Sequence, residues 1–134
     1  MTKDELHVVN AIEQRIRKEQ ERLERLKDWV EHITLELDGM PHENAYKLSS
    51  VAELTVQIVD CEKHIQELFV QRAQSRAELT KAIDDAIEDE DQKAVLVERY
   101  GFGLPFKRIA EKLHISEPNV FVFHRKGLKV LLNR

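Results

Sequence analysis

Starting at Val9, apolar residues recur at alternating spacings of three and four: Val9, Ile12, Ile16, Leu23, Leu26, Val30, Ile33 and Leu37. Glu19 is the one polar interruption of that register. A repeat this regular keeps a narrow apolar stripe on one side of a helix, the signature of a coiled-coil seam. It predicts a helix from about Lys3 to Leu37 that cannot bury its stripe alone. A second stripe follows at Val51, Leu54, Ile58, Cys61, Ile65, Leu68, Arg72, Ser75, Leu79, Ala82 and Ala86. Between the two, Gly39 suits a helix C-terminus and Pro41 prevents the helix from resuming. Ser49 or Ser50 is the expected N-cap of the second helix, with Glu53 placed for a capping box. Two helices of similar length and one loop predict an antiparallel hairpin, each limb about 50 Å long at 1.5 Å per residue.

Val59, Phe69 and Val70 lie off the second stripe. A two-stranded hairpin has one seam to bury, so this spare flank predicts a second copy alongside, giving a homodimer or higher homo-oligomer. The competing expectation is that C-terminal residues of the same chain cover it.

Composition excludes several classes. Charged residues make up 34% of the chain, with four Gly and three Pro, which favours long solvated helices. The N-terminus MTKDELHVVN has no apolar core region of a leader, and no stretch nears the roughly 18 apolar residues a membrane span needs. Cys61 is the single cysteine, which excludes an internal disulfide and fits a reducing, cytoplasmic setting. Cys61 with His64, and His32 and His42 in the other limb, fall short of a zinc ligand set. No Gly-rich phosphate loop, carboxylate pair or nucleophile–base motif is present, so neither an enzyme nor a cofactor is expected. The acidic run from Asp84 to Asp91 lacks the spacing and glycine of a calcium loop; it is expected to close the arm and to act as a hinge.

The net charge of −4 conceals a division. Residues 1–90 carry twelve Lys/Arg against twenty-one Asp/Glu, a balance of −9, whereas residues 91–134 carry nine against four, a balance of +5. The chain is therefore read as all-α: a helical hairpin oligomerisation arm over 1–88, then a small basic module over 89–134 that is drawn to phosphate.

In that module, Asp91 is the expected cap of a short helix carrying Val95, Leu96 and Tyr100, ended by Gly101 and Gly103. Phe106 to Leu113 forms the next helix, His114-Ile115-Ser116 a three-residue turn, and a third helix buries Val120, Phe123, Leu128 and Leu131. Ser116 is an N-cap followed by Glu117 and Pro118, both typical of a first turn. Ala110, Ile115 and Val120 stand at the fifth, tenth and fifteenth positions of a helix–turn–helix. His114 occupies the ninth, where glycine is usual.

The stretch AVLVERYGFGLPFKRIAEKLHISEPNVFVFHRKGLKVLL resembles region 4 of the sigma-70 class of RNA polymerase factors. The shared elements are VL-x-x-RY-G, the helix–turn–helix, and a basic helix end followed by L-K-x-L. The whole chain is similar to small phage regulators of Gram-positive hosts, the RinA- and ArpU-like group, to which the Gly39–Pro41 segment also corresponds. This resemblance implies transcriptional control in the bacterial host cytoplasm, with double-stranded DNA as partner and RNA polymerase as a further one.

In sigma-like modules, outward positions early in the third helix touch bases. Here these are Glu117, Asn119, Phe121 and Val122, along with Pro118. Asn119 is suited to adenine, Glu117 to cytosine, and Phe121 and Val122 to thymine methyls. Lys107, Arg108, Lys112, Ser116, Arg125, Lys126 and Lys129 are expected at backbone phosphates. Arg99 is expected to pack behind the motif. Two alternatives remain: a packaging component like a phage small terminase subunit, and a polymerase-docking factor that uses Phe121 and Val122 for protein contact.

Overall fold

The computed structural model describes residues 1–36 and 44–133, and Leu37, Gly39, Pro41 and His42 lie outside the described residues. The described residues form six α-helices: α1 (Lys3–Leu6), α2 (Val8–Glu36), α3 (Asn44–Ala86), α4 (Glu90–Leu96), α5 (Phe106–Leu113) and α6 (Glu117–Leu132). A π-helical turn, Val97–Gly101, continues α4. No strand occurs among the described residues, and none of the described helices is long and apolar enough to cross a membrane. The fold is all-α, an antiparallel helical hairpin followed by a helix–turn–helix. Its contacts separate into two compact units, Gln14–Val70 and Met1–Glu13 with Gln71–Arg134.

In the 14–70 unit the two predicted stripes meet. Leu26, Leu54, Cys61 and Ile65 form the buried centre, flanked by Leu23, Val30, Ile33, Ile58 and Phe69. The limbs run antiparallel: Glu19 meets Cys61 and His64, and further along Glu36 pairs with Lys47 at 3.5 Å. The seam-breaking Glu19 is thus matched, its Oε2 lying 3.4 Å from Cys61 Sγ and 3.3 Å from His64 Nδ1. Burial pushes the Glu19 carboxyl up, but hydrogen bonds from His64 and Cys61, and positive charge nearby, outweigh it and hold the pKa below the usual value. Burial, reinforced by Glu19, pushes the Cys61 thiol up. This cysteine is a buried seam residue. The N-cap expected at Ser49 or Ser50 is not where the helix starts, because α3 is already helical from Asn44. Phe69 turns into this seam, whereas Val59 and Val70 remain exposed.

The other unit gathers both ends of the chain. Thr2 caps α1, accepting from the Glu5 N–H at 3.2 Å, and the helix predicted as continuous from Lys3 is interrupted at His7. Leu6 and Val9 pack with Leu79, Ile83, Ile87, Leu96, Tyr100 and Leu131 in one core. Ile83, at 1% exposure, takes the place the sequence register gave to Ala82. Arg72, a charged seam position, donates to Glu13 Oε2 at 2.8 Å.

The acidic run is pinned rather than free to hinge. Ile87 is buried in that core, Lys93 pairs with Asp84 at 3.0 Å, and Asp89 accepts from the Gln92 N–H at 2.9 Å. Asp89, not Asp91, therefore caps α4. Beyond it, Val95, Ile109, Ala110 and Val120 form a second small core, edged by Leu104, Phe106, Leu113, Ile115 and Phe123.

Candidate nucleic-acid interface

Helices α5 and α6 occupy the spans predicted for the helix–turn–helix, and Ala110 lies buried between them. The turn is built from local chemistry. His114 sits in the left-handed region at φ 57°, ψ 41°, the conformation for which the ninth position usually carries glycine. Histidine tolerates this region better than most side chains. Ile115 N–H then donates to Ala110 O at 3.1 Å. Ser116 caps α6, its Oγ accepting from Asn119 N–H at 3.3 Å.

Val120 is fully buried, which places the first turn of α6 with its opposite side outward. Glu117, Pro118 and Asn119 are exposed there. The apolar run at 120–123 divides almost as expected. Phe123 packs on the core, Phe121 is 46% exposed, and Val122 is half-buried rather than fully outward. The Phe121 ring also leans on Phe106, with centroids 4.8 Å apart, which limits how it can move.

The seven residues expected at phosphates do not share one environment. Lys107, Arg125, Lys126 and Lys129 are exposed and form no ion pair among the described residues. Arg108 touches Glu111 only at 4.0 Å, on an exposed turn where such a pair contributes little. Lys112 is engaged: its Nζ donates to Glu98 Oε1 at 2.9 Å, and the other oxygen of Glu98 is buried without a hydrogen-bond partner. Ser116 spends an acceptor site on its own helix and keeps its hydroxyl proton for a further partner.

Behind the exposed face lies a brace that sequence inspection did not identify. Tyr100 OH and His124 Nε2 are 2.8 Å apart, their rings stack at 5.7 Å, and His7 meets Tyr100 edge-on at 5.5 Å. Phe106 closes the group edge-on against His124 at 4.9 Å. Burial, then the Arg99 charge, hold the His124 pKa below its usual value, and burial pushes the Tyr100 phenol up. Arg99 packs behind the motif as expected, donating to Leu104 O at 3.1 Å and covering the Phe106 ring at 4.2 Å. Arg76 donates to Gly101 O at 2.7 Å and covers Phe102 at 4.3 Å. Gly127 is buried in mid-α6 where a Cβ would come within 2.8 Å of Leu96 Cδ1, so α4 and α6 cross at that glycine. An isolated glycine in an amphipathic helix is the signal that could have revealed it.

Among the described residues, no group of three or more His, Cys, Asp or Glu side chains is arranged to hold a metal ion. No curated protein and no solved structure matches the chain. Residues 89–131 match the family described as Sigma-70, region 4, so this segment is a sigma-70 region 4-like helix–turn–helix domain.

Proposed function

We propose that the chain is a sequence-specific, non-enzymatic regulator of transcription that binds double-stranded DNA through its helix–turn–helix. In this reading residues 89–134 grip DNA, and residues 1–88 join copies into a homodimer or larger homo-oligomer. It acts in the cytoplasm of a bacterial host, as a phage-encoded regulator of the RinA- and ArpU-like kind. The observation that carries the reading is the pairing of features on one sigma-like module: an open first turn of α6, with Glu117, Asn119 and Phe121 outward, and four exposed cations, Lys107, Arg125, Lys126 and Lys129, that form no ion pair among the described residues. Asn119 reads a base edge, and the cations hold phosphates and release counterions. Lys112 contributes only where DNA outcompetes Glu98.

Selection of duplexes from a random pool, followed by fluorescence anisotropy against salt, tests this. Lys107→Ala and Lys126→Ala should weaken binding to every duplex and lower the salt slope by about one each. Asn119→Ala should reduce discrimination between selected and scrambled sites, by roughly 1–3 kcal/mol at one base pair. Unchanged binding in all three variants refutes the assignment.

A second reading rests on Phe121, which stays 46% exposed where a protein partner would accept it as readily as a thymine methyl. Capture of RNA polymerase that survives nuclease treatment and is lost in Phe121→Ala supports that reading instead.

A further inference from the structure

Arg108 and Lys112 stand one turn apart on the same flank of α5, and both side chains are largely exposed. Their surroundings differ. Arg108 touches Glu111 only at 4.0 Å, between two solvated side chains. Lys112 Nζ donates at 2.9 Å to Glu98 Oε1, and the Glu98 side chain is only 13% exposed. That carboxylate is anchored from behind. Glu98 belongs to the π-helical turn, and its backbone carbonyl accepts from Leu104 N–H at 3.1 Å. Its second carboxylate oxygen is buried with no hydrogen-bond partner.

We propose that Glu98 is a built-in phosphate mimic, which holds Lys112 away from the DNA backbone and so sets how tightly the module grips any duplex. The inference rests on DNA binding by the helix–turn–helix and adds a residue that tunes it. A phosphate would ask Lys112 for what Glu98 already receives, a short charge-assisted hydrogen bond to an anionic oxygen. Drawing the ammonium onto DNA strips that bond from a largely buried carboxylate whose other oxygen has none. A buried charge left without a partner is costly, so Lys112 exchanges one anion for another with little gain. Exposed Lys107, which has no such partner among the described residues, gives up only water.

Phosphates are alike at every base pair, so the withheld contact weakens binding to all sequences in the same proportion. Base reading by Asn119 is untouched. Glu98 therefore governs the strength of the grip, and the first turn of α6 governs its choice of site.

Fluorescence anisotropy of the full chain against salt, on one selected and one scrambled duplex, tests this. Lys112→Ala should leave affinity and salt slope unchanged, unlike Lys107→Ala. Glu98→Gln should strengthen binding to both duplexes and steepen the log–log salt slope by about 0.9, so that its advantage shrinks about 3-fold between 50 and 200 mM salt. Both gains should vanish in the Glu98→Gln, Lys112→Ala double variant. The slope decides, because a loss of folded protein does not alter it. Flattening of the slope by Lys112→Ala alone overturns the proposal, since Lys112 then reaches phosphate past Glu98. A gain from Glu98→Gln that persists without Lys112 overturns it too, since the effect is then a general loss of negative charge. Should Glu98→Gln fail to fold, the slope of Lys112→Ala alone decides. A parent chain that holds no duplex removes DNA binding and the clamp together, whereas a parent that binds while either contrary result appears loses the clamp alone.

Discussion

The crossing of α4 and α6 at Gly127 sets two measurable effects against each other. Glycine in a helix interior costs about 1 kcal/mol relative to alanine, so Gly127→Ala should stabilise if space allowed. Space does not allow it: the new Cβ would stand 2.8 Å from Leu96 Cδ1 and 3.2 Å from Leu96 Cγ, with Gln92 Cβ at 3.6 Å. Leu96 is fully buried, so its methyl has no solvent to move into. Overpacking of this kind costs about 1–3 kcal/mol, leaving Gly127→Ala a net loss of about 0–2 kcal/mol. Leu96→Ala alone should cost about 2–5 kcal/mol through the lost burial and the cavity left behind. In the double variant the alanine methyl at 127 enters the vacated space. Its loss should fall short of the sum of the single losses by about 1 kcal/mol or more. Urea unfolding of the four proteins, followed by circular dichroism, closes the cycle. Additive losses, or a Gly127→Ala protein about 1 kcal/mol more stable than the parent, would refute the close crossing.

His124 is held neutral by burial, so the folded state resists a proton that the unfolded chain accepts near pH 6.5. Stability should therefore fall as pH drops below about 6.5, and His124→Phe should flatten that slope in pH-resolved melts. His114→Gly should be neutral or gain up to about 1 kcal/mol, because relief of about 1–2 kcal/mol of left-handed strain is partly offset by a freer unfolded chain. His114→Val should instead lose about 1 kcal/mol or more in denaturant titrations. Lys112→Ala removes the partner of Glu98, whose second oxygen is already buried without one. It should cost about 1 kcal/mol, with Glu98→Gln restoring part of that loss; an unchanged midpoint for Lys112→Ala sinks the reading of this pair as structural.

What could be read from the sequence was what repeats. The two heptad stripes fixed both limbs of the hairpin, and the spacing of Ala110, Ile115 and Val120 fixed the helix–turn–helix, because periodic burial leaves a periodic trace. The misplaced features are those with several chemically equivalent candidates. Between Asp84 and Asp91 any of several carboxylates could cap α4, and only the structure selects Asp89. Serines at 49 and 50 look like caps, yet α3 runs through them. After Leu79 the buried row steps by four to Ile83 and again to Ile87, because an α-helix drifts against a strict seven-residue repeat. Pairings across the fold left no periodic trace at all. Lys112 carries the charge of a phosphate ligand, and nothing in the local sequence shows that Glu98, fourteen residues earlier, already holds it.

The core that joins Leu6, Val9, Leu79 and Ile83 to Leu96, Tyr100 and Leu131 has an evolutionary consequence. Recombination that exchanged only the helix–turn–helix module, with a crossover between α3 and α4, would leave half of that core facing foreign side chains. A viable exchange must bring the first dozen residues and the last turns of α3 along with the new module. Chains of this design should therefore vary by point changes on the exposed face of α6, outside that core, far more often than by swapping the module whole.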